Sequence, residues 1–169
     1  MNIQLSTIDS AERIFKIFKE CKEKMENENI FQWTESYPNM EIVIQDIDNK
    51  ELYELSSETE ILGVVCLNVY QDPEYGNIDW LDKTGNALII HRLAINPVFQ
   101  NKGLAKILMT FAVGYALNAG FKSIRLDAYS GNEKALRIYE CLNYKKRGEV
   151  NFLGRKLPFF CYEKILKDL

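Results

Sequence analysis

Apolar and polar positions follow two rhythms along the chain. In DSAERIFKIFKECKEKM, residues 9–25, Ile14, Ile17, Phe18, Cys21 and Met25 recur every three to four positions, as on one face of a helix. Asp9 and Glu12 stand at capping-box spacing at its start. GLAKILMTFAVGYALNAG, residues 103–120, repeats the pattern through Leu104, Ile107, Leu108, Phe111 and Tyr115, and Gly120 falls where such a helix should end. SGNEKALRIYECLN predicts another helix, with Ser130 and Glu133 at capping-box spacing. An aromatic-rich stretch, NIFQWTESYPNMEIVIQDIDN, predicts a short helix and loop.

The second rhythm is that of strands. Ile3 to Leu5, ELYELSS, ILGVVCLNVYQ, ALIIHRLAI and KSIRLDAY are short apolar or alternating runs bounded by turn residues. YKKRGEV and LPFFCYEKIL close the chain as a hairpin around NFLGRK, while DPEYGNIDWLDKTGN is polar and turn-rich. The predicted order is β-α-α-β-β-β-α-β-α-β-β, which fits a mixed sheet with helices on its faces. The fold class is α/β or α+β. No repeat or linker interrupts it, so residues 1–169 are expected to form a single domain.

The net charge of -3 argues against a nucleic-acid partner, because neutralising phosphates needs a basic surface. No run approaches the ~18 apolar residues of a membrane span, and MNIQLSTIDSAERIF lacks the pattern of a secretory signal. Cys21, Cys66, Cys141 and Cys161 are scattered without a CxxC pair, which suits buried reduced thiols and a cytoplasmic setting. One histidine and these cysteines offer no ligand cluster, so no metal site is expected.

The stretch that carries chemistry is INPVFQNKGLAKIL, residues 95–108, where a strand gives way to a helix opened by Gly103. The first amides of a helix lack partners and sit at the positive end of its dipole, which suits an anion such as phosphate. Gly103 is either a vacancy that lets an anion reach those amides or an ordinary turn glycine. Lys102 adds positive charge. There is no GxxxxGK[ST] and no GxGxxG after a strand, so neither a P-loop nor a dinucleotide fingerprint is present.

QNKGLA, Gln100 to Ala105, resembles the Q/R-x-x-G-x-G/A signature of the GNAT acetyltransferases. HRLAINP precedes it, and IRLDAYSGNEKALRIYECLNY follows, similar to the family's N-x-x-A-x-x-[L/I]-Y-x-x-x-G-F through Asn132, Ala135, Ile138 and Tyr139. Asn143 and Tyr144 replace Gly-Phe; asparagine tolerates a left-handed backbone and tyrosine keeps the aromatic plug. The resemblance implies the GNAT fold: a mostly antiparallel sheet of about seven strands with helices on both faces and a splayed central strand pair holding acyl-CoA.

It further implies an N-acetyltransferase that uses acetyl-CoA as acyl donor and a small-molecule or amino-acid-like amine as acceptor. Gln100, Asn101, Lys102, Gly103, Leu104, Ala105 and Lys106 fall at the pyrophosphate position, Leu93, Ala94 and Ile95 beside the pantetheine arm, and Asn132, Ala135 and Tyr139 along the following helix. Tyr139 stands at the family's general-acid position, although Ala135, Ile138, Tyr139 and Leu142 equally form a core stripe. His91 is the only histidine. Strand alternation puts it on the face of Leu93, where it is a candidate base acting through water, with a pKa near neutrality. Glu35, Asp79 and a water chain are the competitors. Phe31, Trp33, Glu35 and Tyr37 are expected to form an acceptor wall, with Tyr129 and Phe159 as weaker additions; aromatic segments of this kind also serve as plain core. A peptide N-terminal acetyltransferase, a non-catalytic acyl-CoA-binding module and a plain interaction domain are the alternatives. Family habit adds a homodimer through the last strands as a partner.

Overall fold

A computed structural model describes residues 1–166. The chain divides into two compact units, one of residues 1–67 and 91–109, the other of residues 68–90 and 110–169. The seven strands are β1 (Asn2–Leu5), β2 (Leu52–Ser56), β3 (Ile61–Asn68), β4 (Ala87–Ile95), β5 (Ser123–Tyr129), β6 (Lys145–Val150) and β7 (Phe159–Ile165). The α-helices are α1 (Ala11–Asn27), α2 (Met40–Asp48), α3 (Leu104–Asn118) and α4 (Glu133–Cys141). The chain passes from one unit to the other at the last residue of β3, inside β4 and again inside α3.

In the first unit β1, β2 and β3 pair antiparallel, Ile3 opposite Leu55 and Leu52 opposite Cys66. The apolar stripe of α1 delivers Ile14, Ile17, Phe18 and Cys21 onto the sheet face carrying Leu52, Val64 and Cys66, and α2 adds Val43 and Ile47. The second half of β4 lies beside β3, where the Asn96 amide donates to the Leu62 carbonyl at 3.0 Å. The approach is close at Gly63: a β-carbon there would stand 2.8 Å from the Ala94 carbonyl oxygen, so only glycine fits.

Two N-terminal caps differ from expectation. Ser10, not Asp9, closes the entry to α1, accepting from the Thr7 amide at 3.2 Å and donating to the Thr7 carbonyl at 2.8 Å. Those bonds complete a short 3-10 turn over residues 8–10, which displaces the expected Asp9–Glu12 box. In α4 the cap is Asn132, whose Oδ1 accepts from the Ala135 amide at 3.2 Å, in place of Ser130.

In the second unit the first half of β4 pairs parallel with β5, β5 antiparallel with β7, and β7 antiparallel with β6. Here the polar segment 71–86 is pinned rather than loose. Tyr75 and Trp80 are buried, and the Tyr75 hydroxyl meets Asp127 at 2.5 Å. Arg125 and Glu163 face each other across β5 and β7 and are almost fully buried. Arg125 donates to Glu163 at 3.1 Å, to Gln71 at 2.8 Å and to the Asp82 carbonyl at 2.7 Å, and stacks over Trp80. Glu163 in turn accepts the Leu81 amide at 2.6 Å. Gly120 ends α3 in the left-handed conformation, as its position predicts, and Asn143 does the same for α4 at φ 63°.

Burial raises seven weak acids together. It pushes the Cys21, Cys66 and Cys161 thiols and the Tyr162 phenol up to about 12, and holds Tyr75, Tyr139 and Tyr144 above the ordinary phenol value. At neutral pH these groups are protonated folded or unfolded and cost nothing. Above their ordinary values of 9.0 and 10.0 the unfolded chain releases protons that the folded chain retains. Each such group then lowers stability by about 1.4 kcal/mol per pH unit. Thermal melts should therefore be insensitive to these groups up to about pH 8 and fall steeply between about pH 9 and 11; a melting temperature unchanged at pH 11 would contradict this.

Candidate active site

The turn between β4 and α3 is built from unusual backbone. Asn101 adopts φ 63° and Gly103 φ 77°, both left-handed, around an exposed Lys102. Asparagine and glycine are the residues that enter this region at least cost. Gly103 precedes α3 rather than opening its first turn: the Ile107 amide donates to its carbonyl at 3.3 Å, the position of a cap. A β-carbon on Gly103 would meet no atom of the chain within 4 Å, so its conformation and not crowding demands glycine. The result is an exposed turn that leads into a helix N-terminus, with Lys102 and Lys106 on its surface, an arrangement suited to an anion. Leu104 is buried and Ala105 half-buried, which anchors the start of the helix.

Gln100 serves this turn from behind. Its Nε2 donates to the Ile95 carbonyl at 3.0 Å, and its Oε1 accepts from Lys24 of α1 at 2.7 Å. The Cys21 thiol donates to the same Ile95 carbonyl at 3.2 Å. Ile95 is thus held by two side chains, leaving Leu93 and Ala94 as the part of the run without that restraint. Lys24 was invisible to sequence reasoning, since nothing distinguishes it from the other lysines of an amphipathic helix.

Arg92 interrupts β4 at φ 48°. A non-glycine residue held there costs about 1–3 kcal/mol. The left-handed residue breaks the two-residue alternation, so the expectation that His91 and Leu93 share a face loses its basis. His91 and Leu93 are both half-buried.

The segment 31–37 divides. Trp33 is buried, edge-on to Phe18 with centroids 5.4 Å apart, and belongs to the core of the first unit, where its size favours it. Phe31 is exposed; Glu35 is exposed and paired with Lys22; Tyr37 accepts a hydrogen bond from Arg92. Tyr129 is likewise turned inward, 2% exposed and packed on Phe159, in the second unit. Of the competing bases, Asp79 lies on the surface in an ion pair with Lys83, which draws its carboxyl below the usual range.

In the second unit Tyr139 is buried against Tyr144 and Tyr162, with ring centroids 6.2 and 6.1 Å away. Burial, then the charge of Asp127, then Tyr162 raise its phenol, so it holds its proton throughout the physiological range. Among the described residues no side chain hydrogen-bonds the Tyr139 hydroxyl. Asn132 spends its oxygen on capping α4, and Ala135 is half-buried one turn before Tyr139. Asp127, also missed from sequence, was signalled only by a charge inside the apolar run IRLDAY.

Asp46, Glu51 and Cys66 bring their ligand atoms within 4.8 Å of one another in the first unit. Arg92 donates to both oxygens of Asp46 and to Cys66, so a guanidinium supplies the positive charge at this cluster.

The model of the acetyltransferase (GNAT) family matches residues 11–144. The chain belongs to that family. Solved GNAT structures share its architecture. A GNAT acetyltransferase from Streptococcus agalactiae 2603 superposes with a TM-score of 0.86 at 23% identity, over 98% of this chain and 95% of its own. The yncA protein of Salmonella typhimurium, solved with its cofactor acetyl-CoA, gives 0.74 at 12% identity over 99% and 94%. A ribosomal-protein-alanine N-acetyltransferase from Brucella melitensis gives 0.74 at 13% over 98% and 100%. As a GNAT enzyme the chain is an acetyl-CoA-dependent N-acetyltransferase. The turn at Asn101–Gly103 fits that donor: exposed residues, two of them left-handed, a helix N-terminus and two exposed lysines answer the chemistry of a pyrophosphate. No described helix is long and apolar enough to cross a membrane.

Proposed function

We propose that this enzyme acetylates a primary amine of a small-molecule or amino-acid-like acceptor by direct attack on acetyl-CoA. The observation that carries the reading is the exposed left-handed turn at Asn101–Gly103. Its amides, from Asn101 to Ala105, receive the pyrophosphate of acetyl-CoA, with Lys102 and Lys106 adding charge. By the family resemblance Leu93, Ala94, Asn132 and Ala135 are the residues that contact the pantetheine arm. The neutral amine attacks the acetyl carbon, the carbon–sulfur bond breaks, and its electron pair stays on sulfur. Tyr139 gives that sulfur its proton and is reprotonated from solvent, while the amine nitrogen gives its own proton to a base, with a water chain and His91 as the candidates. Phe31, Glu35 and Tyr37 offer an apolar contact and a carboxylate to a cationic acceptor. Cys21, Cys66 and Cys161 are buried free thiols, which suits a cytoplasmic enzyme, whereas Cys141, expected to be buried, is exposed near the end of α4.

An alanine at Gly103 cannot hold φ 77° without a penalty of about 1–2 kcal/mol, so the exposed turn relaxes and the amides diverge. Gly103→Ala should weaken acetyl-CoA binding roughly 5- to 30-fold by calorimetry. The melting temperature should move by only a few degrees. Equal affinity in the variant would remove the turn from the donor site.

The deciding experiment is release of free thiol from acetyl-CoA against polyamines, amino acids, aminoglycosides and short peptides. Release that depends on one small amine supports the reading. Release driven by peptides alone moves the acceptor to a peptide amine, in keeping with the name of the Brucella ribosomal-protein-alanine N-acetyltransferase. Silence throughout, with acetyl-CoA binding verified, favours a binding module.

A further inference from the structure

A left-handed arginine in the middle of a strand persists only if its surroundings over-determine it. Arg92 is so surrounded. Its side chain is 10% exposed and that of Asp46, its partner on α2, 6%. Nε and Nη2 donate to the two Asp46 oxygens, each at 2.7 Å, in a bidentate pair. Nη1 donates to the Tyr37 hydroxyl at 3.0 Å and Nη2 to the Cys66 sulfur at 3.2 Å. Burial pulls the guanidinium toward neutrality, but the phenol, thiol and carboxylate around it outweigh burial and keep it charged. Three separate pieces of the first unit, α2, the 31–37 segment and β3, therefore converge on one side chain.

The backbone that this side chain anchors leads directly to Leu93–Ile95 and the Asn96–Gly103 turn. A relaxed, extended Arg92 would rotate everything that follows it in the strand. We infer that Arg92 is a positioning residue for the acyl donor: its buried bond to Asp46 holds β4 in a left-handed bend and thereby aims the Leu93–Ala94 backbone and the anion turn. The inference rests on the donor site proposed above.

The test uses the fact that glycine adopts a left-handed backbone freely, without an anchor. Acetyl-CoA affinity is measured by calorimetry on the full chain, with its fold checked by far-ultraviolet circular dichroism. Asp46→Asn, which keeps the shape and removes the charge that locks Arg92, should weaken binding at least about tenfold. In the Arg92→Gly background the same Asp46→Asn change should restore affinity to within about threefold of the natural protein, because glycine needs no lock and the aspartate is no longer buried unpaired. Wild-type affinity for Asp46→Asn overturns the inference. So does a double variant that folds yet binds as weakly as Asp46→Asn alone. Should Asp46→Asn fail to fold, Tyr37→Phe, which deletes one hydrogen bond to the guanidinium and no charge, is read in its place: a two- to fivefold loss supports the lock and no loss overturns it. Failure of the donor-site reading looks different, since Gly103→Ala would then leave affinity unchanged whatever residue 92 does.

Discussion

Tyr139→Phe is expected to lower kcat by about 10²- to 10³-fold while leaving acetyl-CoA affinity within about twofold. The substitution removes one oxygen from a ring that keeps its packing against Tyr144 and Tyr162. No described side chain loses a hydrogen bond, so the melting temperature should hold within a degree or two. That separation matters, because the same residue lies on a core stripe. A structural tyrosine would give a small change in every quantity, whereas a proton donor to sulfur gives a large change in turnover alone. The raised phenol sets a second signature: the donor remains loaded across neutral pH, so the basic limb of the rate profile must come from another group. A variant with undiminished turnover would return Tyr139 to the core and leave sulfur protonation to water.

The largest effect on stability is expected at Arg125. Replacing it with methionine leaves the Glu163 carboxylate buried beside the Leu81 amide without its main counter-charge. Breaking a buried pair from one side costs about 3–5 kcal/mol. For a chain of this length the melting temperature should fall by roughly 10 °C. Because Arg125 also reaches Gln71 and the Asp82 carbonyl, segment 71–86 should become the first site of proteolytic cleavage. Adding Glu163→Met should regain part of the loss, since the stranded charge goes with it, but not all, since the Leu81 amide then lacks its acceptor. A fall of less than 1 kcal/mol for the single variant would mean that solvent screens this pair.

Local rhythm revealed what is local. Ala87–Ile95 emerged from an apolar run bounded by asparagines, and the left-handed Asn143 from asparagine's tolerance of that conformation. What escaped depends on distant partners. Strand alternation cannot register a left-handed residue whose lock, Asp46, lies 46 positions away. Trp33 looked equally suited to wall or core until Phe18 was placed beside it. Arg125 and Glu163, each a charge in an apolar strand, became intelligible only once the register of β5 and β7 set them opposite each other. The caps shifted by a residue or two because Ser10 bonds back to Thr7 and closes a 3-10 turn ahead of α1, while Asn132 takes the Ala135 amide and starts α4 later than Ser130 would.

The two tryptophans of the chain are shared evenly between the units, Trp33 in the first and Trp80 in the second. Both indoles are shielded from water, one edge-on to a phenylalanine ring and one beneath a guanidinium. The protein therefore carries a native fluorophore in each half, and no dye is needed to tell the halves apart. Trp80→Phe leaves emission that reports on the first unit alone, and Trp33→Phe leaves the second. Denaturant titrations of the two single-tryptophan proteins would show red shifts at one midpoint if the halves melt together, and at two if one outlasts the other.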